Sequence, residues 1–253
     1  MATYQKRGYK PKTKEEEVQL DEQNSTTAEV FSSLDEGASK TEEWVSQNQT
    51  YILGVIGVIA VAVLGFLAYT QFVTNPKEEN AAKEMFYPQQ YFDQALAGTV
   101  ERDSLLNLAL NGAEGKYGFL DIIEEYSGTN TANRATYAAG MSYLQMQKYQ
   151  EAISLLENYS ADDTYSQALA YGAIGDAFMQ LNQTDDALAY YKKAVNTNAN
   201  GFTTPRFLYK AGIVALELDD ANEALSYFER IKEEYATSDE AKNIDAFIGM
   251  AQN

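Results

Sequence analysis

The sequence predicts an all-α protein: a single N-terminal transmembrane helix followed by an α-solenoid of repeated helix pairs. Three observations carry this. Tyr51–Val73 is an uncharged apolar run of 23 residues, and at about 1.5 Å of rise per residue such a run crosses a hydrocarbon core of roughly 30 Å. Three segments of the second half align with one another at a near-constant step. Strand signals are few, and no glycine-rich phosphate loop is present.

Composition removes whole classes of function. The 253 residues hold 19 Lys and Arg against 37 Asp and Glu, a net charge of −18. Phosphate would repel such a chain, so no nucleic-acid partner is expected. There is no Cys and no His. Disulfides, thiolate nucleophiles, Cys- or His-ligated metals and Ser-His-Asp machinery are therefore excluded. No cofactor, metal site or small-molecule substrate is expected, and the chain reads as no enzyme. Paired carboxylates such as Glu124 and Glu125, or Glu233 and Glu234, fall among polar residues as solvated helix faces do.

The elements follow in chain order. Residues 1–40 are rich in Lys, Glu, Gln, Ser and Thr. So little apolar surface cannot offset chain entropy, which predicts a disordered polar tail. Residues 41–75 read as one helix that includes the transmembrane span 51–73, with Ser39 and Glu42 placed as a capping box. A buried soluble helix would not stay apolar on every face for so long. A cleaved signal peptide would not begin some fifty residues in. Trp44 and Tyr51 flank one end, and Phe66, Tyr69 and Phe72 lie toward the other, at headgroup level. Charges close to the span are too few to orient it. The distant cluster Lys6, Arg7, Lys10, Lys12 and Lys14 favours a cytoplasmic N-terminus. Within the span, Gly54, Gly57, Gly65 and Ala68 share one arc of the helical wheel, a small-residue face that another helix could approach. Glycine is also common in membrane helices generally.

Residues 76–253 read as about four helix pairs and a closing helix. Gly140, Gly175 and Gly212 are each followed twelve residues later by Ala152, Ala187 and Ala224, so the repeat steps are 35 and 37. Upstream, 76–97 and 116–126 read as the two helices of a degenerate first unit. Between them 98–115 reads as a loop with a short helix around 105–110. Ser238 is placed to cap a closing helix over 238–250. The pairs Asp162-Asp163, Asp185-Asp186 and Asp219-Asp220 precede helices and read as caps rather than calcium ligands.

This pattern resembles the tetratricopeptide repeat, a helix–turn–helix unit of about 34 residues. The glycines sit where paired helices approach, and the alanines are their small partners. Tyr143 and Phe178 match the large residue between helices, whereas Ala215 departs from it. The layout of tail, anchor and repeats is similar to the YfgM-like ancillary subunits of the bacterial Sec translocon. Glu124–Leu144 and Phe202–Gly212 look like the versions in Bacteroidetes-type envelopes. That resemblance implies an inner-membrane protein with a periplasmic domain, whose partners are the translocon, periplasmic chaperones or envelope clients. The implied function is a binding scaffold assisting handover or assembly of envelope proteins. The alternative is a structural subunit of an envelope secretion or assembly machine. The repeat register implies a concave groove lined by Arg134, Tyr137, Met141 and Leu144, then Asp176 and Met179, then Arg206, Tyr209 and Ile213. Alternatively, the closing helix or the upstream unit fills this groove, and Tyr137 and Tyr209 are core. Lys and Asn are absent from the positions at which cytosolic relatives clamp acidic C-terminal tails.

Overall fold

The computed structural model describes the backbone of residues 14–98 and 101–252, with side chains from residue 42 onward. The basic residues Lys6, Arg7, Lys10 and Lys12 lie outside the described residues. The chain divides into two units, Met1–Tyr69 and Thr70–Asn253.

The first unit is one helix, α1 (Lys14–Tyr69). Its backbone is already helical across 14–40, where composition predicts a disordered tail. Its Glu, Gln, Lys, Leu and Ala are good helix formers, and between 14 and 40 the sequence holds no Pro and a single Gly, Gly37. Among the described residues, one helix is long and apolar enough to cross a membrane, with an 18-residue window of mean hydropathy 2.6 and no buried residue. Apart from the surrounding turns of α1 itself, nothing lies within 4 Å of where a Cβ would stand at Gly54, Gly57 or Gly65.

The second unit opens on a π turn, Thr70–Thr74, so the last four residues of the predicted span are not α-helical. Pro76 explains the departure. It donates no N–H and its ring crowds the carbonyl four residues back, at Phe72, which widens the turn before it. The segment predicted as one helix over 76–97 is two: α2 (Asn75–Glu84) and α3 (Phe86–Leu96). Pro88 makes the break, because the carbonyl its ring crowds belongs to Glu84, the last residue of α2. The predicted loop with a short helix is largely α4 (Arg102–Asn111), which pairs with α3. The next helix, α5 (Phe119–Glu125), packs on α6 (Asn130–Gln145) instead of closing a first unit. Phe119 is fully buried, edge-on to Phe92 of α3 at 6.0 Å.

Three regular pairs follow. They are α6 with α7 (Tyr149–Leu156), α8 (Ser166–Gln180) with α9 (Thr184–Asn196), and α10 (Thr203–Glu217) with α11 (Ala221–Glu234). Gly140, Gly175 and Gly212 stand where the partners cross. The residue sixteen positions on fills each gap: a Cβ at Gly140 would lie 2.6 Å from Leu156, one at Gly175 2.6 Å from Tyr191, and one at Gly212 on the Phe228 ring. Ala152, Ala187 and Ala224 are fully buried beside them. The turn after each first helix puts a left-handed residue seven positions past the glycine: Gln147, Asn182 and Asp219, with φ of 60°, 56° and 58°. Each turn closes the same way, for example with Lys148 N–H on the Tyr143 carbonyl and Gln147 N–H on that of Leu144. The seam between the second and third pairs is built by Phe207, which lies against Gly172 and stacks on Tyr191 at 6.4 Å.

The closing segment is a 3₁₀ turn, Glu240–Asn243, and then α12 (Ile244–Ala251). Ser238 Oγ accepts the Ala241 N–H at 3.2 Å, so its cap serves the 3₁₀ turn and not α12. Two of the aspartate pairs cap directly. Asp163 accepts from Tyr165 and Ser166 N–H, which holds its carboxyl below the usual carboxylate range, and Asp220 accepts from Glu223 N–H.

Candidate partner face of the repeat array

The first helices α6, α8 and α10 carry the nine candidate residues, and the structure sorts them by burial. Arg134 and Arg206 are exposed. Tyr137 is half-buried, with its ring 5.0 Å from that of Tyr159. Burial, with Tyr159 adding, pushes the Tyr137 hydroxyl pKa up. Met141 and Leu144 pack against the cluster of Ile153, Leu156 and Ile174 at the seam between the first two repeats. Met179 and Ile213 pack against the larger core of the second and third repeats.

Asp176 is a tie between elements. It accepts from the Tyr191 hydroxyl at 2.6 Å and pairs with Lys210 of α10. Burial, and then the charge of Asp176, pushes the Tyr191 hydroxyl pKa up. Lys210 was missed in the sequence, where nothing marks it as the partner of a carboxylate 34 residues upstream. Tyr209 meets the closing helix: Phe247 stands edge-on at 5.0 Å, and Phe228 lies at 6.4 Å. The candidates therefore do not form one open groove. Tyr137, Met141, Leu144, Met179, Tyr209 and Ile213 all spend apolar surface on packing, and the two arginines remain free.

Those arginines share a register position, six residues before Gly140 and Gly212. Between residues 130 and 251 nine Lys and Arg occur. Lys192, Lys210, Arg230, Lys232 and Lys242 pair with Glu223, Asp176, Glu234, Asp245 and Asp239. Lys148 and Lys193 lie over the Tyr143 and Tyr190 rings at 5.6 and 3.9 Å. Among the described residues, Arg134 and Arg206 have no such partner.

A polar cavity of about 430 Å³ opens beside Arg134 in sequence, lined by Thr129, Asn133, Thr136, Asn158, Ser160 and Asp162 among others. Asn133 and Ser160 bond each other across it, side chain to backbone in both directions. Among the described residues no group of His, Cys, Asp and Glu is arranged to hold a metal ion. Every buried side-chain polar atom there already has a partner.

Residues 137–201 and 207–238 match the tetratricopeptide repeat family, stretches that contain the packing glycines Gly140, Gly175 and Gly212. Over those residues the helix pairs are of the tetratricopeptide type. Tetratricopeptide repeat protein 29 of Macaca fascicularis is 29% identical over 93 residues, which is 35% of this chain and 20% of that protein. The match thus spans about a fifth of that relative's length. Among solved structures, MamA is 18% identical with a TM-score of 0.43, over 61% of this chain and 83% of that one. A kinesin light chain with tetratricopeptide-like repeats from Podospora anserina is 14% identical with a TM-score of 0.44, over 70% and 84%.

Proposed function

We propose that this protein is a membrane-anchored scaffold that binds other proteins through the first-helix face of its tetratricopeptide repeats, and that it has no catalytic role. The carrying observation is the pair Arg134 and Arg206. They are exposed, equivalent in register and without a partner among the described residues, in an array whose other cations are internally satisfied. Arginine is enriched among the residues that dominate protein interfaces, and its planar fork suits directed hydrogen bonds. Half-buried Tyr137, three residues from Arg134, adds a rigid aromatic surface.

In this reading the apolar part of α1 spans the bacterial inner membrane, the N-terminus is cytoplasmic and the repeats are periplasmic. The apolar length supports the crossing, and the basic N-terminal cluster supports that orientation. The similarity of layout to translocon ancillary subunits supports the Sec translocon, periplasmic chaperones or envelope clients as partners.

Photo-crosslinking in native membranes tests the scaffold reading. A photoreactive residue at Arg134 or Arg206 is expected to capture translocon or chaperone subunits, and one at exposed Glu229 of α11 is not. Capture from position 229 alone overturns the assignment of the face. Orientation is tested separately with a single cysteine at exposed Ser226 and an impermeant thiol reagent applied after the outer membrane is permeabilised. Labelling is expected at 226 and not at a cysteine placed at Lys12; the opposite pattern means that the repeats are cytoplasmic.

A further inference from the structure

The three first helices begin alike in where their first amides point, although α6 alone has a side-chain cap of its own, Thr129 Oγ1 accepting from Ala132 N–H at 3.0 Å. Twelve residues before the packing glycine, the second and third repeats carry Asp163 and Asn200. Each accepts from the backbone N–H groups two and three positions on. Asp163 Oδ1 takes those of Tyr165 and Ser166 at 2.8 and 2.7 Å. Asn200 Oδ1 takes those of Phe202 and Thr203 at 2.9 and 2.8 Å. The first repeat has Gly128 at this position and no side chain to offer. Its equivalent amides, Asn130 and Thr131, instead donate to the two oxygens of Glu78 on α2, at 2.7 and 2.9 Å. Thr131 Oγ1 donates to the same carboxylate at 2.6 Å. The residue before it, Lys77, donates to the Ser127 carbonyl at 2.9 Å, just past the end of α5. A cation thus meets a helix C-terminus and an anion the next N-terminus, as the two helix dipoles require.

We infer that α2 is a detachable latch on the first repeat, closed by Glu78 acting as the cap that Gly128 cannot supply. Little else holds α2 down. Ala81 is its one buried side chain, and Lys77 and Glu78 are only half-buried. A segment with few buried apolar contacts and solvent-accessible hydrogen bonds opens well below the free energy of global unfolding. Closed, residues 75–84 form a capped strut that ends at Met85, buried in the core beyond it; open, they become about ten residues of tether following the apolar run. The latch does not depend on which partner the repeats bind.

Hydrogen exchange on the full chain in detergent micelles tests this. In the wild type, the amides of Asn130, Thr131 and residues 79–85 are expected to exchange together, and faster than those of α8 and α10. Glu78→Ala should accelerate that set at least tenfold and leave α8–α11 unchanged. Adding Gly128→Asn, a residue that tolerates the positive φ there, should restore protection at 130 and 131 but not in α2. Three results overturn the latch: wild-type α2 exchanging as slowly as α8, Glu78→Ala leaving α2 as it was, or Glu78→Ala accelerating the whole array. Failure of Gly128→Asn to restore protection at 130 and 131 overturns the capping role.

Discussion

Phe228→Ala is expected to cost the array about 3–5 kcal/mol, as truncation of a fully buried phenylalanine does. The ring is 0% exposed and lies over Gly212, with the rings of Tyr209 and Phe247 at 6.4 and 5.6 Å. Three helices, α10, α11 and α12, therefore meet on one side chain. Gly212 has no atoms to move into the void, and Tyr209 and Phe247 already hold each other edge-on. Collapse around the cavity is limited, which places the cost toward the upper end of the range. Domains of this kind have only about 5–15 kcal/mol in total. Denaturant unfolding of the full chain in micelles should show the loss, and Phe228→Leu should recover most of it. A midpoint unmoved by Phe228→Ala would mean that the third pair does not pack on this ring.

Gly175→Leu is expected to cost about 3 kcal/mol, at the top of the usual range for overpacking. The first added carbon would lie 2.6 Å from the Tyr191 ring. That ring cannot yield cheaply, because it stacks on Phe207 and its hydroxyl donates to Asp176. Displacing it breaks a charge-assisted bond and opens the seam to the third repeat. The same change at Gly140 meets the Leu156 side chain, with the Ala152 carbonyl at 3.4 Å, but displaces no stacked ring and no charged hydrogen bond, and should cost less. Melting curves of the two variants check the ranking. Equal losses would mean that the Tyr191 tie contributes nothing.

The helix pairs were legible because a crossing point needs a small residue on each helix, and Gly140, Gly175 and Gly212 keep the same distance from Ala152, Ala187 and Ala224. The sixteen-residue partners Leu156, Tyr191 and Phe228 lie in the same pattern. Contacts between repeats were not legible. Gly172 reads as one small residue among many in Tyr171–Ala177, and only folding reveals that it receives Phe207. The left-handed turn residues were hidden because none of them is glycine: Gln147, Asn182 and Asp219 pay the steric cost for the closing hydrogen bonds. Upstream, the proline effects of Pro76 and Pro88 act on carbonyls four residues back, so the breaks fall before the residues that cause them. At the partner face, register placed nine side chains on the right helices but carried no account of what covers them. Phe247 on Tyr209 and Lys210 on Asp176 come from 38 and 34 residues away in sequence, beyond any helical period.

The second helix of the first repeat, α7, has eight residues, against 13 in α9 and 14 in α11. In a linear array each unit is held only by its neighbours. Two turns of helix offer α8 a short flank, and the buried side chains of that seam, Ile153, Leu156, Ala173, Ile174 and Ala177, are all aliphatic, while its aromatics, among them Tyr149, Phe178 and Tyr190, pack only half-buried against them. The next seam is locked by Tyr191 and Phe207. The joint after α7 is therefore the more lightly packed of the two. Under load pulled along the chain, the last two repeats with α12 are expected to part from everything upstream as a single block once the Tyr149–Gln180 and Tyr190–Glu157 bonds give way.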